Sequence, residues 1–171
     1  MAASQRDWLV VIDMQNAFAQ PDSPWFTPSF EAAAGNIAAL LPLYGERVRF
    51  TRFVPPARIA GSWEAYYAKW QFAVKPNDPA IWELVEPWRG QPSVDSHQFS
   101  KWGPALAWLA DAGGSIVLCG VSTDCCVMAT ALAAVDDGAF VRVVADACGA
   151  KTPTIHQAAL DLLAKRSPQL V

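Results

Sequence analysis

Two short stretches carry residue types suited to covalent chemistry. Asp13 directly follows the apolar run Leu9-Val10-Val11-Ile12, and Cys125 and Cys126 follow Gly120-Val121-Ser122-Thr123-Asp124. An acid at the end of a buried strand presents its carboxylate at the open edge of a sheet. A strand, a glycine turn and a helix opening with Thr and Asp make a preformed anion site. A thiol in the first turn of that helix is expected to have a lowered pKa, because the unpaired N–H groups and the helix dipole favour the thiolate. Cys126 has that place. A carboxylate base, a thiolate nucleophile and backbone N–H groups for an oxyanion are the parts of an acyl-transfer site. Cys119 and Cys148 read as small core hydrophobes, and Cys125 is open between core and site. Rival readings fail on detail. An aspartyl-phosphate enzyme wants a second Asp two residues on, where Gln15 stands, and neither a dinucleotide glycine fingerprint nor a P-loop occurs.

The elements that must position these residues are legible as alternation. Residues 8–12, 47–53, 93–95, 115–119 and 140–145 read as strands, and 29–43, 104–112, 124–138 and 153–165 as helices. Ser29 is a candidate cap and Pro42 lies near a helix end. Hydrophobicity is continuous within the strands, which means burial on both faces. Strands alternating with helices give right-handed crossovers and a parallel sheet. The expectation is a three-layer α/β/α sandwich with a mostly parallel, Rossmann-like sheet of five to six strands, in one domain over residues 1–171. In such sheets ligands bind beyond the carboxyl ends of the strands, where Asp13 and Cys126 fall. The Pro- and Trp-rich stretch 55–92 fits no regular element beyond short helices.

Composition narrows the function classes. The 171 residues are 53% hydrophobic and 17% charged, the reverse of the balance disorder needs. Net charge is −3 and no basic stripe occurs, which argues against a nucleic-acid partner. No apolar run approaches the roughly 18 residues of a membrane span, and the N-terminus lacks the pattern of a signal peptide. Four cysteines without a disulfide spacing fit the cytoplasm. Eight tryptophans suggest an aromatic pocket or a subunit interface beside the core.

The stretch Ile12-Asp13-Met14-Gln15-Asn16-Ala17-Phe18 resembles the first motif of the isochorismatase-like cysteine hydrolases, and Gly120 through Val127 resembles their nucleophile motif. Thr130-Ala131, Gly138, Val144 through Cys148 and His156 continue the resemblance, so only 55–92 is poorly matched. Nicotinamidases, N-carbamoylsarcosine amidases, ureidoacrylate hydrolases and biuret hydrolases belong to that family. The resemblance implies an Asp–Lys–Cys triad: Asp13 as base, Cys126 as nucleophile, and a thioester formed from a small-molecule amide as its C–N bond breaks. It also implies a cis peptide at Val121–Ser122, an oxyanion hole from the N–H groups of Ser122 and Cys126, and a homodimer or homotetramer.

The chain departs from the family pattern in two places. Aligning Phe99-Ser100 on the family's aromatic–Ser pair puts Ser96 where the lysine belongs, leaving Lys101, Ser96 and His97 as candidates for the third position. With Ser96 there, a catalytically silent homologue that binds a ligand or acts in assembly is the alternative; a redox thiol at Cys125 and Cys126 is a third reading. The metal-binding Asp-Trp-His cluster of nicotinamidases is replaced by Thr51-Arg52-Phe53-Val54-Pro55-Pro56, so neither metal nor cofactor is expected. Phe18, Trp25 and Trp102 are the candidate substrate-binding residues, with Phe26, Trp63 and Tyr67 as further wall candidates. Arg52 and Arg58 are candidates for a substrate carboxylate, and His156 reads as a structural hydrogen-bonding residue.

Overall fold

The apolar runs become five strands of one all-parallel sheet in a computed structural model that describes residues 5–166. In chain order the elements are β1 (Trp8–Ile12), α1 (Asn16–Ala19), α2 (Phe30–Tyr44), β2 (Val48–Phe53), α3 (Trp63–Lys69) and β3 (Ser93–Ser96). There follow α4 (Pro104–Ala107), β4 (Ile116–Val121), α5 (Met128–Asp136), β5 (Val141–Gly149) and α6 (Pro153–Arg166). The strand order is β3-β2-β1-β4-β5, and helices flank the sheet. Leu9 through Ile12 are completely buried, as are Ile116 and Leu118. That two-sided burial is why these strands lack alternation.

The order reverses between β1 and β4. Chain leaving β1 crosses toward β2 on one side, and chain entering β4 continues toward β5 on the other. The two loops diverge and leave a crevice at the carboxyl ends, the switch point where such sheets bind ligands. The register pairs Ile12 with Gly120 there. Gly120 has φ +113°, and a Cβ on it would lie 2.1 Å from the Ile12 carbonyl oxygen. Only glycine lets the two strand ends approach this closely.

Several sequence expectations are corrected in detail. The helix expected over 104–112 breaks after Ala107. The Trp108 indole N–H donates to the Ala105 carbonyl at 3.0 Å, while the Leu109 N–H bonds the Leu106 carbonyl at 2.9 Å, which tightens the chain into a separate turn at Ala110–Ala112. The helix expected from 124 begins as a π-helical turn over Thr123–Val127 before α5 starts at Met128. Strand β5 runs to Gly149 rather than 145, because its register on β4 steps from Leu118–Val143 to Gly120–Cys148. The Ser29 hydroxyl donates to the Ala150 carbonyl at 3.3 Å instead of capping α2, while Pro42 lies near the end of that helix as expected.

The Trp-rich middle folds as α3, short turns at Gln71–Ala73 and Pro79–Trp82, and a cis Glu86–Pro87 bond. It is tied down by the fully buried Gln15. Its amide accepts from the Phe53 N–H at 2.8 Å and donates to the carbonyls of Phe53 and Trp82 at 3.0 and 2.7 Å. One side chain thus joins the ends of β1 and β2 to the segment above them. Gly120→Ala is expected to lower the unfolding free energy by roughly 3 kcal/mol or more through backbone collision. Urea denaturation reads this directly, and an unchanged midpoint would show that β1 and β4 can part at that point.

Candidate active site

Asp13, the first residue beyond β1, is fully buried and has φ +50°, unusual for a residue other than glycine. Thr51 of β2 holds it twice. The Asp13 N–H donates to Thr51 Oγ1 at 3.2 Å, and that hydroxyl donates to Asp13 Oδ1 at 2.7 Å. The other oxygen, Oδ2, faces Lys101 Nζ at 3.1 Å, with both side chains closed to solvent. Lys101 arrives from the loop after β3. Its ammonium donates to the Gln98 carbonyl at 2.8 Å, lies 3.5 Å from the Ser96 carbonyl, and sits 4.9 Å from the centre of the Phe53 ring.

Thr130 links this loop to the cysteine turn. Its hydroxyl accepts from the Lys101 N–H at 2.9 Å and donates to the Cys126 carbonyl at 2.6 Å. The π-helical turn begins after a cis Val121–Ser122 bond, the one that the resemblance implied. Ser122's carbonyl accepts from the N–H groups of both Cys125 and Val127 at 3.1 Å, so those two amides are committed. Behind the turn, His156 Nδ1 meets Thr123 Oγ1 at 2.8 Å, the structural role expected of it. π-turns of this kind recur at functional sites because they re-aim a side chain out of the helical repeat.

Cys125, Cys126 and Ser122 open onto a cavity of about 360 Å³. Phe18 and Trp25, two of the expected substrate-binding residues, line it. Trp102 does not: its indole N–H donates to Asp137 at 2.9 Å. Most of the remaining wall is aromatic, with Phe53, Tyr66, Trp70 and Phe99 prominent, and Tyr66 and Trp70 come from the stretch 55–92 that the motifs do not cover. Phe26, Trp63 and Tyr67 lie outside it. Trp63 instead meets His97 edge-on with ring centroids 5.8 Å apart, and neither belongs to the cavity wall. Arg52 is paired with Asp95 at 2.7 Å and Glu83 at 3.2 Å, and Arg58 is exposed, so neither serves the cavity. The signal that could have found Tyr66 and Trp70 is their place in the sequence between the second and third strands, the crossover that overhangs the carboxyl edge.

The two thiols behave as a pair. The contact with Cys125, together with burial and the Asp13 carboxylate, pushes the Cys126 thiol well above its usual range, with Lys101 pulling the other way. The hydrogen bond from Cys126 draws Cys125 down, against burial. This corrects the expectation that the helix start makes Cys126 a ready thiolate. Two adjacent sulfurs beside a carboxylate cannot both ionise, so the pair parts with its first proton readily and its second with difficulty. Tyr66, desolvated and close to both sulfurs, is pushed up and stays protonated.

The chain matches the isochorismatase domain over residues 7–170. It belongs to the isochorismatase domain family. The isochorismatase domain-containing protein 2 of Xenopus laevis is 55% identical over 38 residues, a match that spans 22% of this chain and only 18% of that protein. Among solved structures, the fold is shared with a cysteine hydrolase from Pseudomonas syringae pv. phaseolicola (TM-score 0.81, 20% identity, 97% of this chain and 88% of that one). It is shared as well with the N-carbamoylsarcosine amidase of Thermoplasma acidophilum (TM-score 0.74, 21% identity, 94% and 91%). Within the family frame, the structure brings Asp13 and Lys101 together beside the cysteine turn and leaves Ser96 and His97 out of that pairing. Among the described residues no three His, Cys, Asp or Glu side chains gather as a metal site.

Two outcomes follow from this geometry. Lys101→Met strands the Asp13 carboxylate in the interior and should cost ~3–5 kcal/mol of stability by urea denaturation, with Lys101→Met/Asp13→Asn recovering much of it; a double variant no more stable than the single one would mean the charges are not coupled. In Cys126→Ala, Cys125 loses the hydrogen bond that favours its thiolate. Its iodoacetamide labelling, followed by peptide mass, should therefore move to higher pH than in the parent protein, whereas a curve shifted down or unmoved would dissolve the thiol pair.

Proposed function

We propose that the protein is a metal-independent cysteine amidohydrolase that cleaves the C–N bond of a small amide through a thioester on Cys126. The observation that carries this reading is the Lys101–Asp13 ion pair, at 3.1 Å and closed to solvent, beside a cysteine that opens onto an aromatic-lined cavity. A buried carboxylate with a fixed cation and an oriented second oxygen is a base with one direction to act in. No step needs a metal, and the segment after β2, where related nicotinamidases carry metal ligands, offers Val54-Pro55-Pro56.

As Cys126 Sγ bonds to the amide carbon, its proton passes to the Asp13 carboxylate. The N–H groups of Ser122 and Cys126 donate hydrogen bonds to the developing oxyanion, whereas those of Cys125 and Val127 are already donated to the Ser122 carbonyl. When the intermediate collapses, the C–N bond breaks and the Asp13 proton leaves on the nitrogen. Water then adds to the thioester, giving its proton to Asp13 on the way, and that proton returns to sulfur as the acid departs. Lys101 stays charged throughout, balancing whichever of Asp13 and Cys126 carries the negative charge. A thiol held protonated at rest suits this scheme, because the base removes the proton only as the carbonyl arrives.

The silent-homologue reading drew on Ser96; the approach of Lys101 to Asp13 supports the enzyme over it. We place the enzyme in the cytoplasm as a homodimer or homotetramer. Four free cysteines support the first, and the exposed Trp108, Phe140 and Leu162 support the second. Among the described residues no helix is long and apolar enough to cross a membrane. The test is release of ammonia or amine from a panel of small amides. Cys126→Ala should abolish turnover, and Asp13→Asn should lower kcat by about 10²–10⁴-fold without a matching rise in KM. Activity that survives Cys126→Ala would overturn the mechanism.

A further inference from the structure

Six rings, Phe53 among them, line the cavity. Phe18 stacks on Trp25 with centroids 5.8 Å apart, Trp70 meets Trp25 edge-on at 6.2 Å, and Tyr66 meets Phe99 at 5.5 Å in the same edge-to-face manner. An aromatic lining of this extent offers a cation the attraction of electron-rich rings. Asp124 lines the same cavity. Its Oδ1 is shielded from solvent and has no hydrogen-bond donor among the described residues. A shielded carboxylate oxygen without a donor is costly unless a ligand supplies one or brings a positive charge.

The other charges at the cavity do not meet this need. Lys101 is committed to Asp13. Lys151 donates to the Phe26 carbonyl at 3.1 Å and lies over the Phe26 ring, and it makes no ion pair with Asp124. We infer that the amide accepted here carries a positively charged ammonium group, caged by Phe18, Trp25, Tyr66, Trp70 and Phe99 and neutralised by Asp124. The inference rests on the proposed hydrolase only in taking this cavity as the substrate site. Asp124 and Tyr66 both stand beside the cysteine turn, so the ammonium lies close to the amide it accompanies while the carbonyl faces Cys126. A volume of about 360 Å³ holds a small molecule of this kind and little more.

The experiment measures binding and needs no turnover. Choline is titrated into the Cys126→Ala protein and followed by tryptophan fluorescence, since Trp25 and Trp70 both line the cavity. Two probes of the same shape run beside it: the uncharged isostere with a tert-butyl group in place of the trimethylammonium, and the carboxylate tert-butylacetate. Choline is expected to bind about tenfold tighter than the uncharged isostere, and Asp124→Asn should erase that preference while Lys151→Gln leaves it or increases it. Equal affinity for choline and the isostere, preference for the carboxylate, or no binding of choline would each overturn the inference. Because the preference is first read without changing Asp124, a misfolded variant does not decide the result. Choline binding without amide turnover would leave the cation site standing and remove the hydrolase, whereas turnover of neutral amides with no choline preference would do the reverse.

Discussion

A lysine ammonium and an aspartate carboxylate meet 3.1 Å apart with no access to water. Withdrawing each charge from solvent costs several kcal/mol, and their attraction repays that only when the remaining donors and acceptors are also met. Here they are. Thr51 serves one carboxylate oxygen, the Gln98 carbonyl and the Phe53 ring serve the ammonium, and Thr130 fixes the backbone on which the lysine hangs. Because Thr130 also bonds the Cys126 carbonyl, the cation loop and the thiol turn are held in one frame. Loosening any of these contacts leaves a charge buried and alone.

The sheet exists around this pair in a specific sense. Asp13 is delivered by β1 and the cysteines by β4, and these strands are neighbours only because the chain order reverses between them. Gly120 allows the strand ends to close on each other at the place where the two loops part. The aromatic crossover between β2 and β3 then roofs the crevice, pinned from below by Gln15. A floor of parallel strands and a roof of edge-packed rings leave a cleft with two thiols at its wall.

The thiols show how position and environment can disagree. The start of a helix favours a thiolate, yet burial, a neighbouring sulfur and a nearby carboxylate outweigh a helix dipole that falls off within one turn. A cysteine kept as its thiol is protected from adventitious oxidants, which attack the thiolate.

Much of this was readable from the chain alone. Continuous apolar runs at Leu9–Ile12 and Ile116–Val121 required strands buried on both faces, and alternation with helices required a parallel sheet, because these follow from local periodicity and chain handedness. Asp13 and Cys126 were legible as strand-end residues for the same reason. What the sequence left open was decided by contacts between distant segments. Lys101 is five residues from the place that alignment reserved for a lysine, and only the fold of its loop, clamped by Thr130, brings the ammonium back to Asp13. Trp102 looked as suitable for the cavity as Trp25, but a single hydrogen bond to Asp137 holds it away. Tyr66 and Trp70 lie in a stretch without periodicity and reach the cavity because Gln15 and the ends of β1 and β2 hold that stretch over the sheet. Periodicity is a property of neighbouring residues and survives in the sequence. Which side chains share a cavity depends on hydrogen bonds and packing across long separations, and that information exists only once the chain has folded.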